Sequence, residues 1–92
     1  MERYLNLDGD SNVEAYSIHA TYIDVKFRGT SKIYRYSYES AGEDLVEEAK
    51  TLAERGYGLN SFIMSYMRYL YEWGELRSFS WVEMHYYKWI KN

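Results

Sequence analysis

The sequence predicts a small α+β domain, in which an antiparallel sheet of three or four strands is covered on one face by two or three helices. Apolar and polar residues alternate within residues 13 to 38, which is typical of strands with one buried face, whereas apolar residues after Tyr38 recur at helical spacing. With 92 residues, of which 47% are hydrophobic, the chain is long enough to form one core. We therefore expect a single domain over residues 1 to 92.

Three segments carry the strand pattern. In "YIDVKF", the apolar residues Ile23, Val25 and Phe27 alternate with polar ones and should share one face of the sheet. The segment "KIYRYSY" alternates in the same way, and the intervening "RGTS" contains a glycine, which favours a short antiparallel hairpin. The earlier segment "VEAYSI" adds a third strand, and three strands with one covered face can form a stable sheet.

The first predicted helix covers about residues 40 to 55. Ser40 followed by Glu43 matches a capping box, and acidic residues occupy the first turn. Gly56, directly after Arg55, is a typical helix end. The apolar residues between these ends form one stripe, so this helix should cover the sheet with one face.

A second helix is predicted from Asn60, which can cap it, to about Trp73, with Gly74 as its end. Its polar residues form one narrow stripe, namely Ser61, Ser65, Arg68 and Glu72. The other positions are apolar or aromatic, as in a helix that is enclosed by other elements or shared with another chain. We expect four of these residues in the core: Phe62, Ile63, Tyr66 and Leu70.

The tail "SFSWVEMHYYKWIKN" is open to two interpretations. Ser80 and Glu83 repeat the capping-box pattern and favour a helix, which is the interpretation we prefer. Phe79 and Trp81 alternate with serines, and tyrosine and tryptophan are common in strands, which favours a strand instead.

Several short sequence elements follow one another along residues 11 to 63. They are a serine, an apolar residue and a tyrosine near the start, a strand that ends in phenylalanine, a Tyr-x-Tyr strand, and a closing glycine, asparagine and isoleucine. These residues are Ser11, Val13, Tyr16, Phe27, Tyr34, Tyr36, Gly58, Asn60 and Ile63. Their order and spacing resemble the KTSC-like family of small bacterial and bacteriophage domains over residues 11 to about 70. The resemblance implies a compact sheet-and-helix fold rather than an activity, and it leaves residues 71 to 92 as a C-terminal aromatic extension.

Composition narrows the functional classes. The absence of cysteine excludes disulfides, thiolate metal sites and a cysteine nucleophile, and it fits a reducing compartment. The first ten residues contain no apolar segment of the kind found in export signals, and no apolar stretch reaches the length of a membrane span. We therefore expect a cytoplasmic protein that does not contact a membrane.

The candidate catalytic and metal-binding residues form no complete motif. The segment "DGDSNVE" begins like a calcium loop, but Val13 stands where that loop needs glycine and His19 where it needs glutamate, so we expect a turn. Neither His19 nor His85 has the spacing that would join it to further metal ligands or to a nucleophile. We therefore expect no enzymatic activity, no metal and no cofactor.

The large aromatic residues after residue 56 are the strongest functional signal. A domain of this size has limited interior, so some of these rings should lie on the surface, where tyrosine and tryptophan are typical of protein interfaces. We expect a surface that binds a protein partner, or a second copy of the chain in a homodimer. Small phage proteins suggest by analogy an inhibitor of a host enzyme or defence complex, of the anti-CRISPR kind, that acts by steric or competitive binding. The expected binding residues are Tyr71, Trp73, Trp81, Tyr87 and Trp89.

The alternative is a small nucleic-acid-binding domain. Alternation places Tyr22, Lys26, Arg28 and Arg35 on the sheet face away from the helices. Cations beside an exposed ring can contact phosphates and stack on bases. The net charge of −3 opposes this alternative, as does Asp24 among the cations.

Overall fold

The computed structural model describes residues 1–72, in which helical segments cover one face of an antiparallel sheet. This confirms the predicted α+β fold class. The two-residue first strand was not predicted individually, because so short a segment shows no alternation. The end of the second predicted helix near Trp73 and the whole predicted tail lie outside the described residues. Within residues 1–72 the sheet has four strands in chain order: β1 (Glu2–Arg3), β2 (Val13–Ile18), β3 (Tyr22–Phe27) and β4 (Ile33–Ser37).

Glycine and a bulge shape the sheet. Gly29 follows β3 with a φ of 81°, a conformation that glycine adopts without strain, and the chain then returns as β4 in the predicted hairpin. The pairing of β2 with β3 is interrupted by a bulge between Val13 and Ala15, which leaves Glu14 as the extra residue.

Three helical segments follow the sheet. They are α1 (Tyr38–Ala41), α2 (Glu43–Arg55) and α3 (Leu59–Phe62), and α3 continues directly into a π-helical turn, Ile63–Met67. The predicted end of the long helix at Gly56 is confirmed. This glycine has a φ of 89°, and its N–H donates to the Leu52 carbonyl at 3.0 Å.

The predicted helix starts were wrong in detail. The capping box consists of Ser37 and Ser40, in which each side-chain oxygen accepts a hydrogen bond from the other residue's N–H, at 3.0 and 3.1 Å. Ser37 is therefore the capping residue and Ser40 its partner, because helical structure begins directly where β4 ends. The residue before α2 is Gly42, and the residue before α3 is Gly58, with Asn60 inside that helix.

The core lies between the sheet and the helical segments. The predicted alternation of β3 is confirmed at its centre, where Ile23 and Val25 are fully buried. The N-terminal segment joins the core through Tyr4, whose hydroxyl accepts a hydrogen bond from Leu59 N–H at 3.3 Å. The buried hydrophobic residues are Tyr4, Val13, Ile23, Val25, Tyr36, Val46, Ala49, Leu52, Ala53, Leu59, Ile63 and Met67.

The π-helical turn decides which residues after α3 face the core. Ile63 is fully buried, as predicted, and Phe62 and Leu70 pack against the core while half-buried. Tyr66 was predicted to be core, and this is wrong, since 63% of the residue is exposed. A π-helical turn has more residues per turn than an α-helix, so it buries Met67 one turn after Ile63 and rotates Tyr66 away from the sheet.

Tyr36 makes the stability of the fold sensitive to high pH. Its burial raises the pKa of the phenol above the ordinary value of 10.0, and Tyr71 and Tyr34 add to the shift. The stability that the un-ionised Tyr36 phenol contributes is fully present below the pKa of this group in the unfolded chain. It is lost as pH rises towards the pKa in the folded protein, because the phenol ionises first in the unfolded chain. We expect the free energy of unfolding, measured by urea denaturation between about pH 8 and 11, to start falling near pH 10. Tyr36→Phe should reduce that decline; an identical decline in this variant would contradict the assignment.

Candidate protein-binding surface

Three aromatic residues in and shortly after α3 and its π-helical turn make up what we call the aromatic patch: the half-buried Phe62 and the exposed Tyr66 and Tyr69. The ring centroids of Phe62 and Tyr66 lie 5.1 Å apart. Tyr66 is 63% exposed and Tyr69 is 47% exposed, and the guanidinium of Arg68 lies 5.8 Å from the Tyr69 ring centroid. The patch thus combines apolar area, hydroxyl groups and an adjacent cation, a composition common in the centres of protein interfaces.

A second group of exposed apolar residues lies around Gly56: Leu5, Leu7 and Tyr57. Leu7 N–H donates to the Gly56 carbonyl at 2.8 Å, and a Cβ on Gly56 would stand 2.8 Å from the Leu5 Cβ. Gly56 therefore permits both the left-handed turn after α2 and the close approach of the N-terminal segment. The sequence analysis missed these leucines, because "MERYLNLDGD" has no periodic pattern that would mark them.

Tyr71 is the one predicted binding residue within the described part of the chain. Its ring packs edge-on against Tyr34 and Tyr36, with centroid distances of 4.9 and 6.2 Å, and it is half-buried against the core. Burial raises the pKa of its phenol. Tyr71 therefore borders the core rather than standing out from the surface. The other four predicted residues, Trp73, Trp81, Tyr87 and Trp89, lie outside the described residues.

Two of the cations on the outer face of the sheet form ion pairs with carboxylates. Arg35 binds Asp24 through two hydrogen bonds, from Nε to Oδ1 at 2.8 Å and from Nη2 to Oδ2 at 3.1 Å. Lys26 Nζ lies 3.0 Å from Glu14 Oε1. Among residues 1–72, Arg28 has no ion pair. The four residues of the nucleic-acid alternative therefore do not form one uncompensated basic surface.

The ring of Tyr22 is also engaged within the sheet. It stacks on the His19 ring at a centroid distance of 4.3 Å, and the Arg35 guanidinium carbon lies 4.1 Å from its centroid. A nucleobase would have to displace these neighbours to stack there. The geometry of this face therefore argues against base stacking on Tyr22.

Ser17 and His19 form a serine–histidine pair of the kind used in nucleophilic catalysis. Ser17 Oγ lies 2.9 Å from His19 Nε2 on the exposed side of the sheet. Asp24 stands opposite Ser17 in the β2–β3 register, but its carboxylate is bound by Arg35. The pair therefore has no acid that orients the imidazole among residues 1–72, as nucleophilic catalysis would require.

Comparisons of the chain with protein-family models, with curated proteins and with solved structures find no match. The resemblance to the KTSC-like family therefore stays a prediction. No helix within residues 1–72 is long and apolar enough to cross a bilayer.

Proposed function

We propose that this protein is a non-catalytic interaction module that binds a protein partner through an aromatic surface in its C-terminal half. The observation that carries the proposal is the exposure of Tyr66 and Tyr69, at 63% and 47%, while other apolar residues close to them in sequence are buried. Tyr66 stands on a π-helical turn that Ile63 and Met67 anchor in the core, and Tyr69 follows two residues after its end.

Tyrosine is suited to this role because it brings a large apolar area together with a hydroxyl, and it has few rotatable bonds to immobilise on binding. Contiguous exposed aromatic area on a small protein is typical of a binding site. The aromatic patch would supply the apolar centre of the interface, and Arg68 a polar contact beside it. In this proposal the protein acts by occupying a surface of its partner, and the inhibition of a host enzyme or defence complex is one form of that action.

A photo-cross-linking residue in place of Tyr66 tests the proposal. The partner is first captured in cells and identified by mass spectrometry, and it is then purified and titrated with the wild-type protein. We expect Tyr66→Ala and Tyr69→Ala each to weaken binding by roughly tenfold or more, because truncation of a central interface ring removes that much affinity. Both residues are exposed, so the variants should remain folded, which circular dichroism can verify.

Lys32 provides the matched control, since it is exposed directly before β4 and does not belong to the aromatic patch. A photo-cross-linker at Lys32 should not capture the same partner, and Lys32→Ala should bind it normally. Sedimentation velocity of the protein alone tests whether a second copy is the partner, in which case Tyr66→Ala should yield monomers. Cross-links only to nucleic acid, or unchanged affinity in both tyrosine variants, would refute the proposed function.

A further inference from the structure

A groove of about 820 Å³ opens beside the N-terminal edge of the sheet. It runs between the segment around β1 and the start of β2, next to the bulge at Glu14. Its lining includes two arginines, Arg3 and Arg28, together with the apolar residues Met1 and Leu5. Arg3 and Arg28 come from opposite ends of the first 28 residues of the chain, and only the folded sheet brings them to one groove.

The charges in this groove are unbalanced. Neither Arg3 nor Arg28 forms an ion pair with a carboxylate of residues 1–72. Among the described residues, Glu14 is the one acidic residue in the lining, and its carboxylate is paired with Lys26 Nζ at 3.0 Å. Two exposed guanidinium groups thus border the groove without a compensating charge from residues 1–72, in a protein whose net charge is −3. Such a site attracts carboxylates or phosphates, which guanidinium groups can bind through two hydrogen bonds.

We propose that this groove binds an acidic peptide segment of a protein partner. Its carboxylates would bind Arg3 and Arg28, and its apolar side chains would contact Leu5 and Met1. A nucleic-acid strand fits less well, because Tyr4, the aromatic residue that the described part of the chain contributes to the lining, is buried and offers no ring for base stacking. The groove shares no residue with the aromatic patch, so the inference stands independently of the proposed function.

Fluorescence anisotropy with a labelled peptide of alternating glutamate and valine tests this site. We expect the wild-type protein to bind the peptide, and the Arg3→Ala, Arg28→Ala double variant to bind it roughly tenfold or more weakly. Lys32→Ala, which removes an exposed cation outside the groove, should leave the affinity unchanged. Tyr66→Ala should also leave it unchanged, which separates this site from the aromatic patch.

Two further ligands distinguish an acidic peptide from other anions and from nonspecific binding. A lysine–valine peptide of the same length should not bind, and inorganic phosphate at the concentration of the peptide should not displace it. The proposal is overturned if the glutamate–valine peptide does not bind, if its affinity is insensitive to the arginine substitutions, or if an oligothymidylate or inorganic phosphate binds the groove more tightly.

Discussion

Replacing Tyr36 by alanine is expected to lower the free energy of unfolding by about 3–5 kcal/mol, the usual cost of removing a large aromatic side chain from a core. Tyr36 is only 1% exposed and is the largest of the fully buried side chains among the residues that the structure describes. Its ring lies at the centre of β4, opposite Ile23 on β3, and contacts the edge of Tyr71. The cavity left by alanine would therefore open between the sheet and the end of the helical region. Urea denaturation monitored by circular dichroism measures the loss.

Tyr66→Ala provides the matched control for this prediction. Both substitutions remove the same side chain, but Tyr66 is 63% exposed, so we expect its removal to change stability by no more than about 0.5 kcal/mol. Equal losses for the two variants would contradict the burial pattern of the π-helical turn. Tyr36→Phe should be close to neutral, because the Tyr36 hydroxyl has no hydrogen-bond partner among residues 1–72 and phenylalanine keeps the packing.

The strands could be predicted from the sequence because their information is local. The alternation around Val25 and Tyr36 identifies the buried face without any knowledge of the rest of the fold, and the structure buries both residues. The end of α2 was predictable for the same reason, because Gly56 follows directly after the last residue of an amphipathic stripe.

The helix starts could not be predicted with the same accuracy, because they depend on where the preceding strand ends. Ser37 and Ser40 are both suitable caps, and the Tyr38 N–H donates to the Thr21 carbonyl at 2.9 Å, which holds the chain in the sheet up to the capping residue. The π-helical turn was also inaccessible, since helical periodicity assumes a constant number of residues per turn. Tyr66 was assigned to the core for that reason.

In the candidate sites, too, the features with a local sequence signal could be predicted, and those that depend on the fold could not. The aromatic patch was predicted as a property of the C-terminal half, but its exposed members within residues 1–72 are Tyr66 and Tyr69, which the sequence analysis did not select. The basic sheet face was predicted residue by residue, but its charge compensation depends on register: Arg35 lies directly opposite Asp24. Arg3 was missed entirely, since a two-residue strand leaves no trace in the hydrophobic pattern.

Replacing Arg35 by methionine should destabilise the protein by about 2–3 kcal/mol, because it leaves the carboxylate of Asp24 without its partner. Asp24 is only 8% exposed although it lies on the outer face of the sheet, and both of its oxygens accept hydrogen bonds from Arg35. We place the loss below that of a fully buried pair because 44% of the Arg35 side chain is exposed, which lets water reach the carboxylate once the guanidinium is gone. Methionine retains apolar cover over Tyr22, so the measured loss reports mainly on the charge.

Lys26→Met is the matched control for Arg35→Met, since it removes a cation from the same sheet face. The carboxylate that it leaves behind belongs to Glu14, whose side chain is 50% exposed, so water replaces the lost contact and the cost should be at most about 1 kcal/mol. Adding Asp24→Asn to Arg35→Met should restore part of the stability, because the amide carries no charge to leave unpaired. If Arg35→Met costs no more than Lys26→Met, or if Asp24→Asn makes the double variant less stable still, then the Asp24–Arg35 pair does not stabilise the sheet in the way its burial implies.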